Sequence, residues 1–334
     1  MKKLLALLLG ASMLLSLASC GKAPNSAENS APPSPASTAQ TSGATPTDSP
    51  KIGLSLYNMT NPHFVLMTQA IQDACDAAGC ELIITDPDKD NAKQVSDIED
   101  LVVQGCDVII LAPVDTNGIN VALQYCKDND VKVINVDMPV TDEAIEKDLV
   151  TSIIATDNYE AGYVLGQAMV EQTQGQAKIG LLERVESQAI RDRVAGFEDA
   201  IANEPGMEIV VRQSCKTTTE DALPVVENFL QSNPEITDMF FGNDLQLQAG
   251  VNACEAASRT DIRLYSIDGS ENGMDLVVAG KCIGTSAQFP ITIGETAVEY
   301  AIKVANGEEV EAKTLIPSIF VDSSNVSEYI KAYE

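Results

Sequence analysis

This 334-residue chain has one histidine, no tryptophan, and only 4% aromatic residues. It contains no G-x-S-x-G, so with a single imidazole the usual nucleophile elbow and its histidine base have no signature. Neither G-x-G-x-x-G nor G-x-x-x-x-G-K-[ST] occurs, which leaves nucleotide chemistry without its glycine-rich loop. No C-x-x-C is present, so the spacing of a zinc or thioredoxin-type site is missing. Basic residues are scarce: 21 Lys and Arg stand against 49 Asp and Glu, a net charge of −28. Such a chain repels phosphate backbones and anionic lipid surfaces, which argues against nucleic acid and against a polybasic membrane patch. Beyond the first twenty residues no stretch is long and apolar enough to span a bilayer. The expectation is a protein that is not an enzyme and has no cofactor and no metal. Asp86-Pro87-Asp88-Lys89-Asp90-Asn91 imitates the start of a calcium loop but lacks glycine at position six and glutamate at twelve.

What is present begins at the N-terminus. Lys2-Lys3 and the apolar run Leu4–Leu17 form the n-region and h-region of a secretory signal. The run is shorter than the ~20 residues a spanning helix needs. It ends in Leu17-Ala18-Ser19-Cys20, which resembles a bacterial lipoprotein box. The resemblance implies that residues 1–19 are removed, that Cys20 is lipidated, and that the protein works on the outer face of the cytoplasmic membrane. Its only tie to the membrane would then be the acyl chains. Residues 20–50 follow, almost wholly Ala, Ser, Pro, Thr, Gly, Asn and Gln. They hold too little apolar surface to offset the entropy of ordering, so a disordered tether is expected.

Seven cysteines lie beyond Cys20: Cys75, Cys80, Cys106, Cys126, Cys215, Cys254 and Cys282. An odd number cannot all pair within one chain. Most sit in apolar surroundings where a free thiol acts as a small hydrophobe. Pairing of Cys75 with Cys80 stays open.

From Lys51 onward, short apolar runs alternate with amphipathic stretches. Strands are expected at Lys51–Tyr57, Glu81–Thr85, Val108–Ala112, Lys132–Val136 and Val150–Ala155. A second series is expected at Lys178–Leu182, Glu208–Gln213, Asp238–Phe241, Arg263–Ile267 and Gly284–Ala287. Pro62–Ala78, Ala92–Gln104, Asn158–Thr173 and Asp244–Ala257 read as helices. Val108-Ile109-Ile110-Leu111 is apolar at every position, as in strands covered on both faces of a parallel sheet. Two βα series predict an α/β fold of two doubly wound parallel-sheet domains. Ligands of such sheets bind beyond the carboxyl ends of the strands, so the polar residues directly after each apolar run are the ones to inspect.

Those residues are Tyr57-Asn58-Met59-Thr60-Asn61-Pro62-His63-Phe64, Asn135-Val136-Asp137-Met138-Pro139 and Ala155-Thr156-Asp157-Asn158. Ala189 to Phe197, Phe241-Gly242-Asn243-Asp244, Ser266-Ile267-Asp268-Gly269 and Ala287-Gln288-Phe289-Pro290 complete the set. In this order and spacing they resemble the type I periplasmic sugar-binding proteins, the ribose-binding branch above all, over essentially Lys51 to Glu334. The resemblance implies two domains joined by a three-strand hinge: 51–156 plus 289–316, and 157–288 plus 317–334. It also implies that Asn61, Asp137, Asn158, Arg191, Asn243, Asp268 and Gln288 hydrogen-bond a ligand and that Phe64 packs on its ring. Carboxylates, amides and a guanidinium fork suit a polyol.

The departures leave the ligand open. Met138 stands where this branch has a second arginine, His63 replaces an aromatic, and Ile267 replaces another. His63 has two open roles, a local bond at a helix start or a ligand contact; Asn61 before Pro62 suits both an N-cap and a ligand contact. The implied function is a monomeric solute receptor that binds a small sugar or polyol for a membrane ABC permease. The open alternatives are a sensor serving a chemoreceptor or histidine kinase, and a receptor for a non-sugar ligand.

Overall fold

The central strands of this chain are apolar on both faces because helices cover both faces. In the computed structural model, which describes residues 49–333, Val108–Leu111 is buried at all four positions. The expected signal segment, Cys20 and the tether up to residue 48 lie outside the described residues. No helix among the described residues is long and apolar enough to cross a membrane.

In chain order the first half runs β1 (Lys51–Ser55), α1 (Pro62–Ala78), β2 (Glu81–Thr85), α2 (Asn91–Val103), β3 (Val108–Leu111), α3 (Asn120–Asp128), β4 (Lys132–Val136), α4 (Asp142–Glu146) and β5 (Ser152–Thr156). The second half runs α5 (Asn158–Thr173), β6 (Gln176–Glu183), α6 (Gln188–Ile201), β7 (Gly206–Ser214), α7 (Thr219–Ser232), β8 (Asp238–Phe241), α8 (Asp244–Ala256), β9 (Arg263–Asp268), α9 (Glu271–Val278) and β10 (Gly284–Ala287). The chain closes with α10 (Pro290–Ala305), β11 (Lys313–Ile316), β12 (Ile319–Asp322) and α11 (Val326–Tyr333).

Two six-stranded sheets result, ordered β2-β1-β3-β4-β5-β11 and β7-β6-β8-β9-β10-β12. All pairings are parallel except β10 with β12. Each sheet with its helices makes one lobe. The main polypeptide passes between sheets three times: after Thr156, after Ala287, and between Ile316 and Ile319. After the second passage α10 packs on α1, β3, β4 and β5, returning the chain to the first lobe. The first lobe's core gathers Leu54, Met67, Ile110 and Ile293; the second gathers Phe197, Phe240 and Tyr265 on one face of its sheet, Phe229 and Phe241 on the other.

Ten strands match expected runs, with shifted ends: β1 stops at Ser55, and β6 extends from Gln176 to Glu183. Strands β11 and β12 were not anticipated. Each is four residues, pairs with only one neighbour, and mixes polar with apolar positions, so its strand character comes from the sheet it joins. All seven cysteines from Cys75 to Cys282 are free thiols, and five of them are buried. Cys75 and Cys80 are thus unpaired, and burial pushes the Cys75 thiol up to about 12.

Candidate functional site

At the carboxyl edge of the first sheet, Asn58 folds the loop after β1. Its Oδ1 accepts from Thr60 N at 2.9 Å, Thr60 Oγ1 at 3.0 Å and Asn61 N at 2.7 Å. Asn61 then caps α1 by accepting from His63 N at 3.0 Å, with Pro62 at the first helical position. This aims the His63 ring at the loop after β4, where Nε2 lies 3.1 Å from Asp137 Oδ1. Asp137 has φ 57°, a left-handed conformation that costs energy in a non-glycine residue and marks sites where geometry is imposed. Its neighbour Met138 is half-buried against the first lobe's core, and Asn135 Nδ2 donates to the Met138 carbonyl at 2.9 Å. Phe64 was expected to cover a ligand ring; it is 3% exposed and packs edge-on to His63 at 5.4 Å, so the core has absorbed it.

Burial alone would lower the His63 pKa. The charge and hydrogen bond of Asp137, and the charge of Asp268, outweigh it, and the imidazole is raised above 6.5. Burial would raise Asp137; the charge and hydrogen bond of His63, then the charge of Arg193, hold it below 3.8 instead.

The second lobe builds its part of the site on close helix packing. Gly162 of α5 lies against the Arg193 carbonyl, and Gly196 of α6 against the Tyr159 carbonyl, closer than any side chain would permit. The two helices therefore approach until Arg193 Nε reaches Asn158 Oδ1 at 2.8 Å. Its Nη1 donates to the Gly242 carbonyl at 2.8 Å and to Asp268 Oδ1 at 3.0 Å. Asp268, at φ 149°, is the second site carboxylate held at positive φ. The same Oδ1 accepts from Gln288 Nε2 at 2.7 Å, and Gln288 Oε1 accepts from Thr156 Oγ1 at 2.9 Å. Asn158 Nδ2 donates to the Thr156 carbonyl at 3.3 Å, closing a ring of five residues.

Arg191 was expected to be the ligand arginine, and the structure corrects this. Its guanidinium donates to the Val185 carbonyl and the Gln188 side chain of its own loop, away from the ring. Arg193 holds the ring position, its side chain 6% exposed. The signal was present in the sequence: Arg193 falls on the buried stripe of α6 with Ile190, Val194, Phe197 and Ile201, and Arg191 does not.

Asn243 serves as the N-cap of α8, accepting from Gln246 N at 3.0 Å, while its Nδ2 donates to the Thr217 carbonyl at 3.3 Å. Behind Asp268 lies Asp244, which sequence reasoning did not single out. Ser266 Oγ and Thr285 Oγ1 donate to its Oδ1, and Ser270 N and Oγ to its Oδ2. Burial and the charge of Asp268 push this carboxyl up to about 6 against the pull of those hydroxyls.

Thus Asn61, His63, Asp137 and Met138 gather at one sheet's carboxyl edge, and Asn158, Arg193, Asn243, Asp268 and Gln288 at the other's. The charges of the two groups act on one another. His63 senses Asp268 and Arg193, and Asp137 senses Arg193. Each side pairs a basic side chain with a carboxylate, a set of donors and acceptors suited to a hydroxyl-rich ligand that both donates and accepts. Among the described residues no group of three or more His, Cys, Asp or Glu could hold a metal ion.

The family model described as the periplasmic binding protein domain matches residues 52–309. The ribose import binding protein of Bacillus subtilis is 30% identical over 267 residues, covering 80% of this chain and 85% of that protein. The counterpart from Haemophilus influenzae is 31% identical over 263 residues, covering 78% and 88%. A periplasmic solute-binding protein of an ABC transporter from Actinobacillus succinogenes, solved with bound D-allose, superimposes with a TM-score of 0.77 at 25% identity. That match covers 84% of this chain and all of that one.

Proposed function

The chain belongs to the periplasmic binding protein family, a family of binding proteins and not of enzymes, and from that premise we propose that it is an extracytoplasmic solute receptor for a small neutral sugar or polyol. The observation that carries this reading is the pair His63–Asp137 at the carboxyl edge of one sheet and the pair Arg193–Asp268 at that of the other, near enough for their charges to act on one another. The two pairs offer both donors and acceptors to hydroxyls. A ligand that bridges them favours the closed arrangement of the lobes in proportion to its differential affinity. Hinge closure of this kind is the established mode of periplasmic binding proteins. Residues 51–156 plus 289–316 form one jaw, and 157–288 plus 317–334 the other. Asn61, Met138, Asn158, Asn243 and Gln288 complete the ligand shell, with Phe64 supporting His63 from behind.

The lipidated Cys20 holds the receptor at the outer face of the cytoplasmic membrane, and the closed form delivers its solute to an ABC permease. The ribose import relatives support the binding of a sugar for import, as does the D-allose complex of the structural neighbour, and the lipid anchor rests on the Leu17-Ala18-Ser19-Cys20 motif alone.

The test is thermal unfolding with D-ribose, D-allose, xylitol, myo-inositol and glycerol. A sugar at a hundred times its dissociation constant adds about 2.7 kcal/mol to stability. Silence across the panel sinks the carbohydrate reading. Labelled-sugar uptake in a deletion strain tests delivery, and uptake unchanged by the deletion removes the transport role.

A further inference from the structure

We infer that Thr156 is a positioning residue for the binding carboxylate Asp268, acting through Gln288, and that it sets ligand affinity from the crossover between the lobes. The inference rests on the reading of the cleft as the solute site.

The hydrogen-bond ring admits only one set of directions. A guanidinium donates and never accepts, so Asn158 must turn its oxygen to Arg193 Nε and its amide nitrogen to the Thr156 carbonyl. The Asp268 carboxylate, paired with Arg193 at 3.0 Å, accepts. Gln288 must therefore present its NH2 group to Asp268, at 2.7 Å, and its oxygen to Thr156, at 2.9 Å. With the carboxylate setting which way round the amide lies, the Thr156 hydroxyl is the donor that anchors its oxygen end.

Its place in the chain gives this hydroxyl reach. Thr156 is the last residue of β5, where the chain first leaves the first lobe's sheet, and Gln288 follows β10 at the second passage between sheets. They are 4% and 7% exposed, so water does not readily substitute for either partner. One hydrogen bond thus ties two of the three crossovers together and reports directly to a site carboxylate. Valine at position 156 keeps the shape and the β-branch but has no donor. The Gln288 amide loses the bond at its oxygen, so its NH2 is held beside Asp268 less firmly and the carboxylate is positioned less tightly. Serine keeps the donor.

The experiment compares Thr156→Val and Thr156→Ser with the wild-type protein. Three properties are read: thermal unfolding, hydrogen exchange of the Gln288 side-chain amide by 15N NMR, and calorimetric affinity for D-ribose, D-allose, xylitol and myo-inositol. The amide signal is assigned by its loss in Gln288→Glu. The valine variant should fold, its Gln288 amide should exchange faster without any sugar, and its affinity for whichever sugar the wild type binds should fall about ten-fold. The serine variant should keep its amide protection and stay within about two-fold of wild type in affinity. An unchanged Gln288 amide in the valine variant overturns the inference. So does unchanged affinity, and so does a serine variant as weak as valine. A wild type that binds none of the four sugars refutes the solute reading instead, and the ligand-free amide signal still decides the role of Thr156.

Discussion

His63 Nε2 lies 3.1 Å from Asp137 Oδ1, so the chain's sole imidazole is spent on a carboxylate at the edge of the cleft. Of the two roles open to this residue from sequence, the local helix-start bond is taken by its backbone N–H, and the ring points to the site.

The pair should write itself into the pH dependence of stability. His63 is raised above 6.5, so its contribution is complete below that pH and is lost as pH rises through the raised value. Asp137 is held below 3.8, so its contribution is complete above that pH and is lost as pH falls through the lowered value. Urea unfolding of wild type and His63→Gln across this range should show the largest difference between pH 3.8 and 6.5, shrinking on both sides. A difference that is flat with pH would mean the imidazole carries no charge here. The side chains are 19% and 17% exposed, so moderate salt should weaken the effect without erasing it.

Arginine substitutions separate the two candidates of α6. Arg193→Ala leaves Asp268 without its buried partner and Asn158 without its donor, a loss of roughly 3–5 kcal/mol. Ligand-induced thermal shifts should disappear with it. Arg191→Ala removes only bonds to its own loop and should change stability by about 0.5 kcal/mol or less, with sugar affinity intact. Loss of binding in Arg191→Ala alone would restore the sequence-based assignment.

This contrast shows what the sequence could and could not convey. Runs such as Val108–Leu111 and the Asn61–Pro62 cap are local, and local signals announced the βα alternation and the start of α1 correctly. The position of Asp137 and Asp268 at strand ends was also legible, because polar residues after apolar runs fall there. Arg193 was passed over because the motif contains two arginines, and only the helical stripe tells them apart. Thr156 and Asp244 stand within strand-end motifs, but what they do there was not legible, for a different reason. Their partners are 132 residues away at Gln288 and 22 residues away at Ser266, pairings that topology creates and no window contains. Strand β12 likewise exists only because β10 lies beside it.

Asp244 supplies a pH dependence opposite in slope to that of Asp137 and of the same sign as that of His63. Its carboxyl is pushed up to about 6 from 3.8, so the folded state holds the proton more tightly than the unfolded chain. Stability from this group is therefore greatest below about pH 4 and falls as pH rises toward about 6, by up to roughly 3 kcal/mol. Asp244→Asn should flatten that fall. The amide also turns its NH2 toward donors, since Ser270 N and Oγ both give to Oδ2 and Ser266 and Thr285 to Oδ1. The variant should accordingly lose about 1–3 kcal/mol at acidic pH. Chemical unfolding at pH 4 and pH 7 measures both effects, and a variant more stable than wild type at pH 4 contradicts this account.

Gly196→Ala sets helix propensity against packing. In an exposed helix interior, alanine gains about 1 kcal/mol over glycine. Here the added methyl meets the backbone carbonyl of Tyr159, which cannot rotate away as a side chain would. The facing contact, Gly162 on the Arg193 carbonyl, leaves no slack on the other side. Relief requires α5 and α6 to separate, and that separation draws Asn158 away from Arg193 Nε. The sign should thus reverse, to a loss of about 1–3 kcal/mol, the usual cost of overpacking. Sugar affinity should fall along with the unfolding midpoint, because the ring that orients Asp268 is opened at Asn158. A Gly196→Ala protein that is more stable and binds as well as wild type would show that the close crossing of α5 and α6 does not set the position of Arg193.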